Sequence, residues 1–436
     1  MVLSDPSQPL LSVPSTISNI TLVHSESTSR RRNLAANSST SINTDSATTT
    51  SATVTAPLSP PLTPDSPKAN LSSEHNPLLP KTGKRRAIHD KAKRKQQQLT
   101  AGNGKGALSF MYRHQLDVPA MIMTTVFFSH FVLDLPVAER FLVLQNKDPE
   151  TGLYSKAWTD LYFIGFWVVV FTFLRAFMRT FVLNPIAVYA GVKKEHNRNR
   201  FQEEGWVCMY YTISWCLGMS VLRQSPVWNN WTFWFKPEAF FEGYPHTRLP
   251  HSMLWYYYVQ LAFWLQQVFV LQVEVPRKDF WALMAHHTVT LLLIGGSALS
   301  NFWRAGNAVF VVMDLSDIIL AFSKAMKYLG VANRICDTSF ACFMVSWLYT
   351  RHYLYGYILH AFMFTAYEMI PFELDIKQGK WYCRELAWLP IFGLALLQIL
   401  MIYWFAMILR IVVKILKGES AEDDRSDDES DATLKS

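Results

Sequence analysis

Apolar segments of membrane-spanning length recur along the chain between about residue 116 and residue 416, and short polar segments separate them. A transmembrane helix needs about 20 predominantly apolar residues, because its backbone rises ~1.5 Å per residue across a hydrocarbon layer about 30 Å thick. The pattern predicts about eight such helices, at 116–136, 160–183, 205–223, 252–273, 279–299, 306–328, 335–363 and 386–414. We therefore expect an all-α, polytopic integral membrane protein.

The two ends of the chain differ from this apolar part. Residues 1–104 are rich in Ser, Thr, Pro and Asn and nearly lack aromatic residues, which predicts a disordered tail. This tail contains a basic run at 82–96, and the segment 418–436 is acidic. The formal net charge of +7 is thus concentrated in one run and in short loops, which favours a role in membrane orientation over nucleic-acid binding.

The connections between the predicted helices indicate how the chain is oriented. The loop at 191–200 is strongly basic, and the shorter connections at 274–279 and 330–334 also carry basic residues. Because short cytosolic loops carry an excess of Lys and Arg, these connections are expected in the cytosol. With eight helices, both chain termini are then cytosolic as well. The basic run at 82–96 fits either a topology signal or an amphipathic helix on anionic lipid.

Three positions outside the apolar segments are candidates for covalent modification. Asn230 begins an Asn-Trp-Thr glycosylation sequon on the side of the membrane opposite the basic loops. Ser420 and Ser426 each have an acidic residue three positions later, a pattern that permits acid-directed phosphorylation, although a solvated acidic tail needs none. The 5 cysteines include no C-x-x-C pair, so neither a disulfide framework nor a zinc site is expected.

Ionisable side chains inside the apolar segments are the candidates for function, because such groups are costly in a membrane. They form three groups in the fifth, sixth and seventh predicted helices: His286 and His287; Asp314, Ser316 and Asp317; Arg351 and His352. The third group lies well toward the side opposite the basic loops. There it could anchor helix packing or bind the polar end of a substrate.

Helix geometry brings the first two groups to a similar level. At ~1.5 Å per residue, His286 and His287 lie about 10–12 Å from the cytosolic end of their helix, and Asp317 lies about 16 Å from that end of the next helix. Asp314 and Asp317 are three residues apart and share a helix face. Both aspartates are therefore expected to face one polar cavity, which a histidine also reaches.

An imidazole that a carboxylate orients can remove a proton or attack an acyl group, which favours an acyl-transfer site. Two other interpretations of the same residues stay open. A metal site is the first, although adjacent histidines on one helix chelate a single ion poorly, so we expect no metal. The second is that these polar groups only join helices by hydrogen bonds.

The sequence from 277 to 329 resembles the longevity-assurance motif of the ceramide synthases. It contains an initial "RKD", the "AHH" pair, the turn "WRAGN", the "MDLSD" segment and a final "KAMKY". The segments at 201–215 and 335–355 are also similar to that family. The resemblance covers 200–415 as a TLC lipid domain and is weaker over the first two predicted helices, at 116–184.

This resemblance implies transfer of a fatty acyl group from acyl-CoA to the amine of a sphingoid base, giving dihydroceramide or phytoceramide in the endoplasmic reticulum membrane. The family's essential histidines match His286 and His287, and its aspartates match Asp314 and Asp317. The long N-terminal tail resembles fungal members, which implies a small single-span accessory subunit; a dimer is a further candidate assembly. No cofactor is implied, because acyl-CoA is a substrate.

Acyl-CoA is expected to approach from the cytosol, toward a lipid cavity enclosed by the third to eighth helices. Its phosphates would lie near Arg277, Lys278, Lys324 and Lys327, although positive-inside orientation explains these cations equally well. Acyl transfer can pass through an acyl-imidazole or through direct attack by the deprotonated amine. The remaining candidates for substrate binding are Ser316, Arg351 and His352.

The resemblance also bears on acyl-chain length and on a second function. It implies that chain length depends on cavity depth and on the loop at 364–385, and similarity to the fungal enzymes favours very-long-chain acyl-CoA. TLC domains also occur in lipid-sensing or translocon-associated membrane proteins without acyltransferase activity. Those proteins typically lack the complete set of two histidines and two aspartates that this chain contains.

Overall fold

The computed structural model describes residue 110 and residues 113–223, 236–273 and 279–416, and within these ranges the chain is mainly helical. In chain order, the α-helices are α1 (Asp117–Phe131), α2 (Pro136–Leu142), α3 (Asp160–Phe177), α4 (Asn184–Tyr189), α5 (Glu195–Arg223), α6 (His251–Val273), α7 (Phe280–Leu299), α8 (Trp303–Leu329), α9 (Asn333–Trp347), α10 (Tyr355–His360), α11 (Ala366–Met369) and α12 (Trp388–Leu416). A single 3₁₀ turn at Pro237–Phe240 precedes α6 in the described ranges. π-helical turns at Met178–Leu183, Leu348–Leu354 and Ala361–Thr365 join α3 to α4, α9 to α10 and α10 to α11.

Helices lie at all eight segments that the hydrophobic pattern predicted. Five are long and apolar enough to cross a membrane, namely Asp160–Tyr189, Glu195–Arg223, Phe280–Leu299, Trp303–Leu329 and Trp388–Val413. The prediction of a helical, multi-pass membrane protein is thereby confirmed, whereas eight crossings stay a prediction. The other three segments are shorter or more polar. The helix α1 has 15 residues, α6 carries several glutamines and tyrosines, and the α9–α11 segment contains Asp337 and Arg351.

The helix α8 is the centre of the bundle, with 50% of its most apolar stretch buried. It packs along α5 on one side and α9 on another. The close approach of α5 depends on Gly218, since a Cβ atom at this position would lie 2.7 Å from Cγ2 of Val311 and 2.6 Å from the Tyr256 hydroxyl. At the other end, Gly330 terminates α8 with a left-handed φ of 79°, a conformation that glycine adopts without strain.

The predicted loop at 364–385 is more ordered than a simple connection. The helix α11 extends to Met369, beyond the predicted helix end at 363. A small antiparallel hairpin follows, formed by β1 (Glu373–Asp375) and β2 (Lys380–Tyr382). Hydropathy could not reveal these short strands, because each has only 3 residues.

The turn between α7 and α8 is held by three separate segments of the chain. Lys156 donates hydrogen bonds to two carbonyls in the last turn of α7, at 3.1 and 2.5 Å. Tyr244 donates to the Ser300 carbonyl at 2.9 Å, and the Asn301 side chain donates to the Gly379 carbonyl at 2.8 Å. These bonds anchor the histidine-bearing helix at its C-terminal end. Burial lowers the pKa of Lys156 to about 8, because desolvation penalises its ammonium form.

Candidate active site

A cavity of about 300 Å³ lies among α5, α6, α7, α8 and α12. Its inner wall includes both histidines of α7, Asp317 of α8, Arg351 of the π-turn, and the rings of Trp264 and Trp404. Charged side chains line its mouth, where α5 and α7 begin and α6 and α8 end: Arg200, Glu203, Glu204, Asp279 and Lys324. Residues from the fifth, sixth and seventh predicted helices thus meet at one cavity.

The imidazole of His287 is fixed by its own helix. Its Nδ1 lies 2.7 Å from the carbonyl oxygen of Leu283, one turn earlier in α7. Because a carbonyl oxygen only accepts hydrogen bonds, Nδ1 must carry the proton of this bond. In the neutral ring, Nε2 therefore holds the free lone pair, and His287 lines the cavity. Such a lone pair can accept a proton or attack an electrophile.

The imidazole of His286 is held by aromatic rings instead. Its ring contacts those of Trp264, His287 and Trp404 edge to face, with centroid distances of 5.5, 5.6 and 5.3 Å. Its Nδ1 is buried and has no hydrogen-bond partner within the described part of the chain. Since buried polar atoms usually have a partner, this nitrogen is available to a polar group that enters the cavity.

Arg351 forms the second polar element of the inner wall. Its guanidinium bonds to the carboxylate of Asp317 at 2.6 Å, to the Ser316 hydroxyl at 2.8 Å and to the Met313 carbonyl at 3.2 Å. It also lies over the ring of Trp347, with its central carbon 4.5 Å from the ring centroid. Only 4% of the Arg351 side chain is exposed, against 25% for Asp317. A buried cation and a partly exposed carboxylate therefore share one wall of the cavity.

The sequence placed Arg351 well toward the side opposite the basic loops, as an anchor of helix packing or a ligand for the polar end of a substrate. In the structure its guanidinium lies 2.6 Å from the Asp317 carboxylate and belongs to the wall of the cavity that both histidines line. The π-helical turn at Leu348–Leu354 contains this residue. Such a turn widens the helix and changes the direction of its side chains relative to a regular α-helix.

The sequence prediction for Asp314 also needs correction, because this aspartate faces away from the histidines. Its carboxylate accepts a hydrogen bond of 2.6 Å from Ser214 of α5. The amide nitrogen of Gln260 donates to the hydroxyls of Ser214 and Tyr256. Its amide oxygen accepts a hydrogen bond of 2.8 Å from the Tyr210 hydroxyl. Asp314 therefore joins α8 to α5 and α6, whereas Asp317 alone of the two lines the cavity.

The expected orientation of an imidazole by a carboxylate is likewise not found. Within the described residues, neither Asp314 nor Asp317 is hydrogen-bonded to a histidine; their partners are Ser214 and Arg351. The Leu283 carbonyl takes the orienting role for His287. A backbone carbonyl fixes the tautomer as a carboxylate would, but it lacks the charge that would stabilise an imidazolium.

The role of Asp314 leads to a prediction about stability. Replacing Asp314 by alanine is expected to destabilise the protein by about 1–3 kcal/mol, since the buried Ser214 hydroxyl loses its acceptor. The measurement is the apparent thermal unfolding temperature of the purified protein in detergent. Asp314→Asn keeps an acceptor and should lose less. Equal unfolding temperatures for the alanine variant and the wild type would contradict this role.

The other predicted site residues are distributed as follows. Ser316 is fully buried and accepts from Arg351, so it supports the arginine and does not line the cavity. Lys324 lines the mouth of the cavity, 3.6 Å from Glu204. His352 is bonded to Gln398 of α12 at 2.8 Å, and Lys327 lies in the last turn of α8. The candidates that lie outside the described residues are Asn230, Arg277, Lys278, Ser420 and Ser426.

Sequence reasoning missed several residues of the cavity. The two glutamates at its mouth, Glu203 and Glu204, form an adjacent acidic pair near the start of an apolar helix, which was a usable signal. No comparable signal marks Trp264 or Trp404. They belong to helices whose contact with α7 becomes evident only in the folded bundle.

Comparisons with known proteins agree with this architecture. The TLC domain family matches residues 200–410. Sphingosine N-acyltransferase lag1 of Schizosaccharomyces pombe is 40% identical over 297 residues, which cover 68% of this chain and 74% of the relative. Ceramide synthase FUM18 of Gibberella moniliformis is 33% identical over 328 residues, with coverages of 68% and 74%. Ceramide synthase LAG1 of Saccharomyces cerevisiae is 31% identical over 330 residues, with coverages of 74% and 79%.

The apolar helical bundle and the TLC match define a multi-pass membrane protein with a TLC domain. The relatives narrow this class, because the similarity extends over about three quarters of each of them. The chain belongs to the ceramide synthase family of TLC-domain proteins. The family resemblance of the 277–329 segment is thereby confirmed.

Proposed function

We propose that this chain is a sphingoid-base N-acyltransferase, which transfers the acyl group of a fatty acyl-CoA to a sphingoid-base amine and releases CoA. The observation that carries the proposal is the cavity that His286 and His287 line beside Asp317 and Arg351. The relatives are named sphingosine N-acyltransferase or ceramide synthase. A histidine pair supplies the base or nucleophile that such a transfer needs. The product is dihydroceramide or phytoceramide.

The reaction replaces a C–S bond by a C–N bond at the thioester carbonyl. In the direct route, Nε2 of His287 takes a proton from the amine as the amine attacks the carbonyl carbon, and CoA leaves as a thiolate. In the two-step route, an imidazole attacks first, CoA leaves, and the amine then takes the acyl group from the ring. A trapped acyl–protein adduct, absent after His→Ala substitution, supports the second route. Single turnover without an adduct supports the first.

The size of the cavity bears on how the two substrates are held. Pockets for small molecules usually measure about 300–1,000 Å³, and this cavity, at about 300 Å³, lies at the lower end of that range. In our proposal it holds the reacting groups, and the lipid tails extend between the helices. No cofactor is needed, since the acyl group arrives already activated as a thioester.

The proposed enzyme resides in the endoplasmic reticulum membrane with both termini and the cavity mouth in the cytosol. The mouth lies where α5 begins and α8 ends, beside the basic segment 191–200, whose second half is the first turn of α5. Positive-inside orientation supports this direction. Glycosylation of Asn230, phosphorylation of Ser420 and Ser426, a small single-span accessory subunit and a dimer complete the proposal. Nucleic acid is not among the proposed partners.

The alternative function is a non-catalytic TLC-domain protein that senses lipids or associates with the translocon. Microsomes from host cells that lack their own ceramide synthases distinguish the two. With the wild-type chain present, they should convert sphinganine and acyl-CoA to N-acylated product. No product from a properly inserted chain, at any acyl length or with any added partner subunit, would favour the alternative.

Acyl-chain preference is the next prediction. In the same microsomes, a ladder of acyl-CoA lengths is expected to give its highest kcat/KM with very-long-chain thioesters, as the similarity to fungal ceramide synthases indicates. Each length is assayed with the same sphingoid base and below its micelle-forming concentration. A maximum at shorter chains would overturn the preference and leave the acyltransferase proposal intact.

A further inference from the structure

The mouth of the cavity is lined by cations that carboxylates already hold. Lys324 of α8 lies 3.6 Å from Glu204 of α5. Arg200 lies 3.0 Å from Glu203, and these two residues are also on α5. Glu203 also reaches Arg179 at 3.5 Å, so this carboxylate is shared by two guanidinium groups. All of these side chains are between 14% and 25% exposed. They are neither fully solvated surface pairs nor a closed salt bridge in the core.

These pairs stand at a defined distance from the proposed reacting centre. Lys324 follows Asp317 by two turns of α8, so it lies about 10 Å closer to the mouth along the helix. Arg200, Glu203 and Glu204 lie in the first turns of α5 and line the same cavity. A molecule whose reactive group meets the histidines therefore extends past this ring of charges toward solvent.

The charge balance of the ring does not fit the substrate as it stands. At the mouth, two cations, Arg200 and Lys324, stand against three carboxylates, Glu203, Glu204 and Asp279, so the formal charge of the ring is negative. The head group of acyl-CoA carries several phosphate charges. Attraction of such an anion requires that the cations be released from their carboxylates, because an opposing carboxylate repels phosphate at short range.

We propose that Arg200 and Lys324 form the phosphate-binding site for the CoA head group, and that Glu203 and Glu204 occupy these cations while the site is empty. This inference rests on the proposed function and adds a substrate subsite to it. When acyl-CoA enters, phosphate oxygens replace the carboxylates. Arginine suits this exchange, because its planar guanidinium can bond two phosphate oxygens at once.

The inference predicts a gain in affinity from the loss of a charged group. Replacing Glu204 by glutamine removes a carboxylate that competes with phosphate for Lys324. Partly exposed ion pairs contribute modestly, so the Kd of a non-reactive thioether analogue of acyl-CoA is expected to fall by about threefold to fivefold. Lys324→Gln is expected to raise that Kd, because it removes the phosphate ligand itself. Measuring binding and not turnover keeps the result independent of the catalytic route.

A matched control and a second ligand separate this site from general electrostatics. Glu195→Gln removes the same charge from an exposed position on the same helix, and its Kd should equal that of the wild type. An acyl-pantetheine analogue, which lacks the nucleotide phosphates, should bind Glu204→Gln and wild type equally. In the Lys324→Gln background, Glu204→Gln should have little further effect, since its partner is gone.

The membrane composition tests whether lipid headgroups are the relevant phosphates instead. The measurements are made in nanodiscs of phosphatidylcholine alone and again with phosphatidylserine added. A gain that persists in neutral lipid supports CoA phosphates, whereas a gain found only with anionic lipid overturns the inference. An unchanged or raised Kd for Glu204→Gln, or an equal gain for Glu195→Gln, also overturns it. Absence of acyltransferase activity in the wild-type protein is a separate result, which would contradict the proposed function.

Discussion

Replacing His287 by alanine is expected to lower the rate of sphingoid-base acylation by at least about 100-fold, the usual lower limit for removal of a general base. Its Nδ1 is bonded to the Leu283 carbonyl, so Nε2 is the atom that can accept the proton or the acyl group. The measurement is kcat with saturating acyl-CoA and sphinganine in the microsomes described above. A nucleophilic role predicts a loss at least as large, because alanine has no atom that could accept the acyl group.

Thr288→Ala is the matched control for this substitution. Thr288 follows His287 directly and is exposed. Among the described residues, its hydroxyl donates within its own helix, to the Met284 carbonyl at 2.9 Å. Its removal should leave kcat close to wild type. If His287→Ala retained more than about a tenth of wild-type activity while the protein level was unchanged, His287 could not be the base or nucleophile. His286→Ala, tested beside it, then identifies which of the two imidazoles is essential.

Replacing Arg351 by methionine is expected to destabilise the protein by about 3–5 kcal/mol, because it leaves the Asp317 carboxylate without its cation. The guanidinium also supports Ser316 and the Met313 carbonyl, so three contacts are lost together. The measurement is the loss of folded protein during heating or denaturant titration in detergent. Activity should be lost as well, since Asp317 lines the cavity.

Further variants distinguish loss of the pair from loss of the side chain's bulk. Arg351→Met combined with Asp317→Asn should recover part of the stability, because no uncompensated charge remains. Arg351→Lys should recover little, since an ammonium cannot reproduce the bonds of the guanidinium to three groups. Arg334→Met, at an exposed position near the start of α9, serves as the control. A double variant no more stable than Arg351→Met would contradict the ion-pair explanation.

The level of the histidines and of Asp317 could be predicted by residue counting, because the rise of a helix per residue is fixed. The direction of each side chain could not. Asp314 bonds to α5 because Gly218 lets that helix approach α8 closely, and no spacing within α8 carries this information. The same limit explains why Trp264 and Trp404 were missed.

The position of Arg351 shows a second limit of sequence patterns. Periodicity arguments assume about 3.6 residues per turn throughout a helix, whereas Leu348–Leu354 forms a π-helical turn. The long arginine side chain adds further reach from its backbone position. Depth estimates of this kind therefore hold best for short side chains in regular helices, as for Asp317 and the histidines.

The three-sided anchorage of the α7–α8 turn also fixes an order of events during biosynthesis. Lys156 and Tyr244 precede this turn in the chain, whereas Gly379 follows Asn301 by 78 residues. A chain is made from its N-terminus, so the bond between Asn301 and Gly379 forms only after translation has passed the hairpin. A nascent chain that ends before Gly379 already contains both histidines, both aspartates and Arg351. It still lacks Gly379, the last anchor of the helix that carries the histidines. The site residues are therefore all synthesised before the site can be completed.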